Sequence, residues 1–420
     1  MMTLKMEGAR VVIIGAGVAG LVAAQHLEAA GVRPLVIEAT DRVGGRIKTD
    51  QVDGFLLDHG FQVLLTEYRE AKHYLDYEAL SLTHFRPGAV VYRNNTIASV
   101  VDPLREPSEI FRAIFSSVGS IKDKLLVWKL QRELKGTASE ELFAAKNQQS
   151  SLAFLQEYGF SQTFIDAFFV PFFGGIFLEN ELKTPAPMLR FVFKMFARGH
   201  AALPAQGMEE IPRQLKAQLT QTLFRFHTEV AAVKDQTLVT TEGEEIPFDI
   251  LIIATDPKKI MPRLAGAPTP YHATSTLYYA STGGQLPDRL IGLMADKGAI
   301  VNNFCLVDQV ATEYAPSGQH LLSVTLKDIP TMANAEEKVA QEIRDICHQP
   351  NWQLRPLKRY DLPKALPHLD HLSYDYTPTE ARLTEQVFLA GDQLLFGSLD
   401  AAMRTGRRAA EGVLAALQRL

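Results

Sequence analysis

The chain has 420 residues, 46% of them hydrophobic and 22% charged, with a formal net charge of −5. Such a length exceeds one ordinary core and suggests two or three domains, and the mildly acidic balance excludes a general attraction to nucleic acid. Its two cysteines, Cys305 and Cys347, make no disulfide framework and sit in no metal-ligand spacing, so a reduced, cytoplasmic setting and no metal are expected.

The first informative segment is Val11 to Ala24, "VVIIGAGVAGLVAA". Lys5 and Arg10 ahead of an apolar run give it the outline of a secretion signal. Three glycines at fixed offsets, and Gln25, His26 and Glu28 in place of a small-residue cleavage site, argue against export. The run is also short of the ~20 apolar residues that a membrane span needs. "AFFVPFFGGIFL" (Ala167 to Leu178) is shorter and is broken by Pro171, so no transmembrane segment is predicted.

Arg10 to Thr40 instead reads as strand, tight turn, helix, turn, strand. Val11 to Ile14 are β-branched and continuous, as in a parallel strand buried on both faces. Leu21, Ala24 and Leu27 recur at helical spacing and Gly31 ends the helix, before the second strand, Pro34 to Glu38. Gly15, Gly17 and Gly20 fall on the intervening turn as G-x-G-x-x-G. The first permits the turn, the second admits a pyrophosphate to the backbone, and the third lets helix and strand pack closely. Glu38 follows 21 residues after Gly17, where a carboxylate meets the ribose hydroxyls of a dinucleotide and repels a 2′-phosphate. This unit suits NAD and FAD alike.

"ATDRVGGRIKT" (Ala39 to Thr49) follows at once. Gly44-Gly45 allows a backbone turn close to a ligand, and Arg46 can set a guanidinium fork against phosphate. Together, "GAGVAGL…E…GGRIKT" resembles the N-terminal signature of the flavin amine oxidase, phytoene desaturase and protoporphyrinogen oxidase superfamily. Two further stretches carry the same resemblance. One is "QVFLAGDQLLFGSLDAAMRTGRRAA", and the other runs from Arg225 to Pro257 with the buried run "DILIIAT".

The resemblance implies FAD as cofactor. It places FAD against Gly15, Gly17, Val18, Ala19, Gly20, Glu38 and Ala39, and against Gly44, Gly45 and Arg46. Gly60, Phe61 and Gln62 would pass near the flavin ring, with His59 as a second polar candidate. Val230 would meet the adenine, Gly391 and Asp392 the ribityl chain, and the backbone of Leu399, Asp400, Ala401 and Ala402 the flavin pyrimidine edge. The fold implied is α/β, with a Rossmann-like FAD-binding domain (a mixed sheet with helices) and an α+β substrate domain carrying a helical insert. The expected boundaries are 1–84, 200–265 and 375–420 for the FAD domain. Residues 85–199 and 266–374 are left for the substrate domain, with the insert over about 103–198.

Between these stretches, Phe85 to Val101 alternates like a hairpin turning at Asn94-Asn95. Phe154 to Phe196 holds 11 of the 23 phenylalanines. These rings read as the core of a helical subdomain, and the glycines and proline among them suggest a wall bent around an apolar cavity. Ser108 to Lys135 sets Ile110, Phe111, Ile114, Phe115 and Val118 ahead of five basic residues. It reads first as a surface helix and second as an interfacial helix making peripheral membrane contact.

Two features depart from amine oxidases within the resembled superfamily. Ser398 stands where they have an aromatic residue ahead of the last helix, and no segment carries their flavin-proximal lysine. The resemblance is therefore nearer the phytoene desaturase-like branch. It implies an oxidoreductase moving hydride from a C–H bond of an apolar, lipid-like substrate to flavin N5, a dehydrogenation or desaturation. Amine oxidation, flavin-requiring isomerisation and a non-catalytic flavoprotein are the alternatives. No catalytic side chain is assigned, and no motif selects oxygen or quinone as acceptor or fixes an oligomeric state.

Overall fold

The computed structural model describes residues 9–101, 119–261, 264 and 269–418. β1 (Val11–Ile14) is buried throughout and leads into helix α1 (Val18–Ala29), whose buried residues include Leu21, Ala24 and Leu27. β2 (Leu35–Ile37), β3 (Leu223–Arg225), β4 (Ile250–Ile253) and β5 (Val387–Leu389) join β1 in one sheet of order β3-β2-β1-β4-β5. Every pairing in it is parallel, in place of the mixed sheet expected. The antiparallel strands Val230–Lys234, Thr237–Thr240 and Glu245–Pro247 pair with one another in a separate sheet. They do so because short turns return each strand directly onto its neighbour.

A second, larger sheet has seven strands, in the order Gln353–Pro367, Tyr271–Thr282, His320–Leu326, Val301–Leu306, Ile291–Met294, Gly88–Arg93, Thr96–Val101. The last two form the predicted hairpin, and Asn94 and Asn95 turn it at φ +47° and +61°. Side chains alternate along Tyr271–Thr282. Leu277 and Tyr279 pack with Leu322, Val324, Val339 and Ile343 on one face, and Tyr278 joins the main core on the other. On that second face the hydroxyls of Thr276 and Thr325 are buried without a hydrogen-bond partner among the described residues.

The expected helical insert is present in its described part. α2 (Arg69–Tyr74) precedes it, and α3 (Ile121–Gly136) starts at a capping box between Ser120 and Asp123. α4 (Ala186–Arg198) packs on α3. Ile110, Phe111, Ile114, Phe115 and Val118 lie outside the described residues. The phenylalanines pack mostly on one another, in runs such as Phe160–Phe164–Phe168–Phe172 with centroids 5.4–5.8 Å apart. α5 (Leu399–Leu417) closes the fold against α1. A Cβ at Gly406 would stand 2.2 Å from the Ala19 carbonyl oxygen, so only glycine allows this approach. No helix among the described residues is long and apolar enough to cross a membrane.

Candidate functional site

The glycine turn has the geometry that its spacing implies. Gly15 takes φ +100° and donates its N–H to the Ile37 carbonyl at 2.8 Å, joining the turn to β2. A Cβ on Gly20 would lie 2.0 Å from the Gly15 carbonyl oxygen. Gly17 is different, because a Cβ there meets nothing nearer than the Gly45 Cα at 4.0 Å. Gly17 and Gly44 form a parallel bridge, and the Gly44 N–H donates to the Ala16 carbonyl at 2.9 Å. Two stretches of bare backbone therefore face each other at the mouth of α1. Gly17 caps that helix with no side-chain bond, so the first N–H groups, those of Val18, Ala19 and Gly20, are presented without a capping acceptor. This cradle fits a pyrophosphate.

Glu38 is buried at 8% exposure beside it. Its Oε2 accepts the Ala16 N–H at 2.8 Å, and Oε1 accepts the Thr40 N–H and hydroxyl at 3.0 and 2.8 Å. The carboxylate is thus fixed across the turn, while the adjacent Ala39 is exposed. Val230 is buried with Ile14, Ile37 and Leu251, at the start of its strand.

Arg46 points elsewhere than the sequence suggested. In place of an open phosphate fork, Nη2 pairs with Asp392 Oδ1 and Nη1 donates to the Ala365 carbonyl at 3.1 Å. The nearby carboxylate attracts the guanidinium, and this joins the glycine loop to the segment after β5. Gln62 braces the same loop, donating to the carbonyls of Arg46 and His59 at 3.1 and 3.2 Å. Gly60, at φ +93°, is backed by Leu362 and Thr276, and Phe61 stands edge-on to Phe85. His59 lies with Nε2 3.1 Å from Asp50 Oδ2 and its ring 4.5 Å from that of Tyr360. Burial lowers its pKa, with Asp50 opposing.

At α5, Ser398 is the N-cap, accepting the Ala401 N–H at 3.1 Å through Oγ and the Ala402 N–H at 3.0 Å through its carbonyl. Those two groups are therefore satisfied within the helix, which leaves Leu399 and Asp400 N–H at its mouth. Gly391 N–H donates to Thr405 Oγ1 at 2.9 Å, tying the Gly-Asp turn to the same helix. The Asp400 side chain accepts the Glu70 N–H and Arg404 Nη2, both at 2.8 Å. Arg404 also reaches Glu70 and the Tyr374 carbonyl. Nothing in the sequence pattern pointed to this network except the i,i+4 spacing of Asp400 and Arg404.

A second buried carboxylate carries no sequence signal. Asp58 accepts hydrogen bonds from Thr49 Oγ1, the Met208 N–H and Tyr314 Oη at 2.5, 3.0 and 2.8 Å. Burial nonetheless pushes its pKa up from 3.8 to about 6. The folded state therefore binds this proton more readily than the unfolded chain. The associated stability is full below about pH 4 and is lost as pH rises through about 6. Asp58→Asn cannot ionise and is expected to gain on the parent between these limits, by about 3 kcal/mol at pH 7. Paired denaturant series across that range test this, and a difference that stays constant with pH contradicts it.

The parallel sheet, the glycine cradle, the buried Glu38 and the capped final helix together define the α/β fold of a dinucleotide-binding protein. The family model described as "Flavin containing amine oxidoreductase" matches residues 18–414. The chain belongs to that family of flavin-containing oxidoreductases. It is 29% identical over 170 residues to "Protoporphyrinogen oxidase 2, chloroplastic/mitochondrial" of Arabidopsis thaliana, a match spanning 40% of this chain and 33% of that one. It is 43% identical over 83 residues to putrescine oxidase of Kocuria rosea, spanning 20% and 17%. These sequence matches cover a third or less of either relative's length. Among solved structures it is similar to a putative protoporphyrinogen oxidase from Exiguobacterium sp. 255-15, with TM-score 0.72, 17% identity and coverage of 97% and 99%. It is also similar to putrescine oxidase bound to putrescine, with TM-score 0.69, 18% identity and the same coverage. At these identities the structures establish a shared fold.

Proposed function

We propose that this enzyme moves hydride from one C–H bond of an apolar substrate to flavin N5 while the neighbouring carbon releases a proton to solvent, leaving a new C=C bond. The observation that carries this reading is the apolar character of the wall beside Gly397, directly ahead of α5, where a small crevice of about 20 Å³ opens. Phe177, Met188, Leu366, Pro367, Leu369 and Leu372 line it together with Thr184, His272 and His368, and its described lining holds no carboxylate. The carboxylate of Glu179 stands behind Thr184 but already accepts its N–H and hydroxyl at 3.1 Å each, so it is less free to replace the hydration that a cationic amine would lose here. Ser398, engaged as a helix cap, offers no aromatic surface to orient one.

FAD, when bound, accepts the hydride at N5. The residues of the chain hold and tune it. The backbone of Gly15, Gly17, Val18, Ala19, Gly20, Gly44 and Gly45 would cradle the pyrophosphate, and Glu38 would take the ribose. Val230 would sit against the adenine. Asp392, held at one oxygen by Arg46, would accept from the ribityl chain through the other. The N–H groups of Leu399 and Asp400, with the positive end of the α5 dipole, would stabilise negative charge on the reduced ring. In this scheme residues 1–84, 200–265 and 375–420 form the flavin domain and 85–199 and 266–374 the substrate domain.

The short segments more than 40% identical to putrescine and L-amino-acid oxidases favour amine oxidation as the second reading. Anaerobic mixing of the yellow holoprotein with apolar C–H donors and with amines distinguishes the two. The proposal requires that the apolar donor bleach the flavin.

A further inference from the structure

A second cavity, away from the crevice, opens between α2, α4 and α5 with a volume of about 750 Å³. That is ample for a small organic molecule. Five cations line it: Arg69, Lys72, Lys194, Arg198 and Arg407. Three carboxylates oppose them, and each is already engaged. Glu70 is held by Arg404 and Arg407, Glu67 by Lys72, and Glu140 by Arg69.

Lys194 and Arg198 are left over. Arg198 reaches a carboxylate only at 3.9 Å, on the Glu67 that Lys72 already occupies. Lys194 is 3% exposed, and among the described residues no carboxylate lies within 4.0 Å of it. Its Nζ donates to the Thr137 carbonyl at 2.6 Å and to Ser139 Oγ at 3.0 Å, leaving one of its three donors unused. Thr137 follows the C-terminus of α3, whose dipole supplies roughly half a negative charge and no counter-ion. Burial and the neighbouring Arg198 disfavour the ammonium, Glu140 and Glu141 oppose them only from beyond ion-pair distance, and an anion in the cleft would lower that cost. Tyr374 and Met195 add an apolar wall for the body of such a ligand.

We propose that this cleft is a binding site for a small organic anion carrying at least two negative charges, a polycarboxylate or a phosphate ester, with Lys194 and Arg198 as its principal contacts. A hydrogen bond joins the wall of the site to the head of α5. Glu70 in that wall donates its backbone N–H to Asp400 in the first turn of α5.

Isothermal titration of the FAD-loaded protein with citrate and with inorganic phosphate, at ionic strength fixed with chloride, tests the site. Saturable binding of one or both is expected, and their ranking tells whether carboxylate or phosphoryl oxygens are preferred. Lys194→Met and Arg198→Gln should each weaken it at least tenfold. Lys297→Gln, at a side chain 91% exposed outside the cleft, should leave it unchanged. Arg198 is half-exposed, so R198Q still tests the site even where K194M fails to fold. Absence of saturable binding, or binding that survives the cleft substitutions, overturns the proposal.

Discussion

Arg404→Ala is expected to cost about 3–5 kcal/mol of stability, the range for breaking a buried ion pair from one side. Arg404 is 1% exposed and lies under the end of α5 that faces the proposed flavin. It pairs with Asp400 at 2.8 Å and with Glu70 at 3.2 Å, donates to the Tyr374 carbonyl, and stacks 3.8 Å over the Tyr374 ring. Without it Glu70 keeps Arg407, but Asp400 retains only the Glu70 N–H for a carboxylate that is 0% exposed. Burial already raises the Asp400 pKa against the pull of Arg404, so removing the arginine drives it toward the protonated acid. Arg404→Lys, which keeps a charge but loses the fork, should fall between parent and alanine variant. Denaturant unfolding of the three proteins measures this, and a loss below about 1 kcal/mol for the alanine variant would mean the network is not holding the helix.

Gly20→Ala carries the largest expected effect on cofactor binding. The added Cβ would stand 2.0 Å from the Gly15 carbonyl oxygen and 3.4 Å from the Ala254 Cβ. The nearer atom is backbone within the turn itself, so the turn must move and the N–H groups at the head of α1 move with it. Overpacking of this kind costs up to about 3 kcal/mol, roughly a hundredfold in FAD affinity if the strain falls on the bound state. Gly136→Ala, at a position with nothing within 4 Å, is the matched control. Flavin absorbance per protein after purification reads both. Full flavin content in G20A would contradict the placement of the pyrophosphate.

The parts of the site legible in the sequence are those where backbone geometry admits one residue type. Gly15, Gly20 and Gly44 are such places, and the spacing to Glu38 is set by one strand-helix-strand crossover. Side-chain pairing across the chain was not legible. Arg46 and Asp392 are 346 residues apart, and Arg404 and Glu70 are 334 apart, so no local pattern announces either pair. Asp58 reads as one acid among 48 until Met208, Tyr314 and Tyr278 are seen to close over it. The phenylalanine-rich stretch shows a different limit. Its rings could have lined a cavity or packed on one another, and only their mutual stacking decides that Phe177 alone among them reaches the crevice beside Gly397.

The most direct test of the proposed chemistry is the visible spectrum of the FAD-loaded protein mixed without oxygen with one apolar donor, such as a partly saturated polyene, and separately with putrescine. Hydride removal from an apolar substrate requires that the apolar donor bleach the flavin, with one new C=C bond formed per flavin reduced, and that putrescine leave the spectrum unchanged. Bleaching by putrescine while every apolar donor leaves the flavin oxidised would contradict it and establish amine oxidation instead.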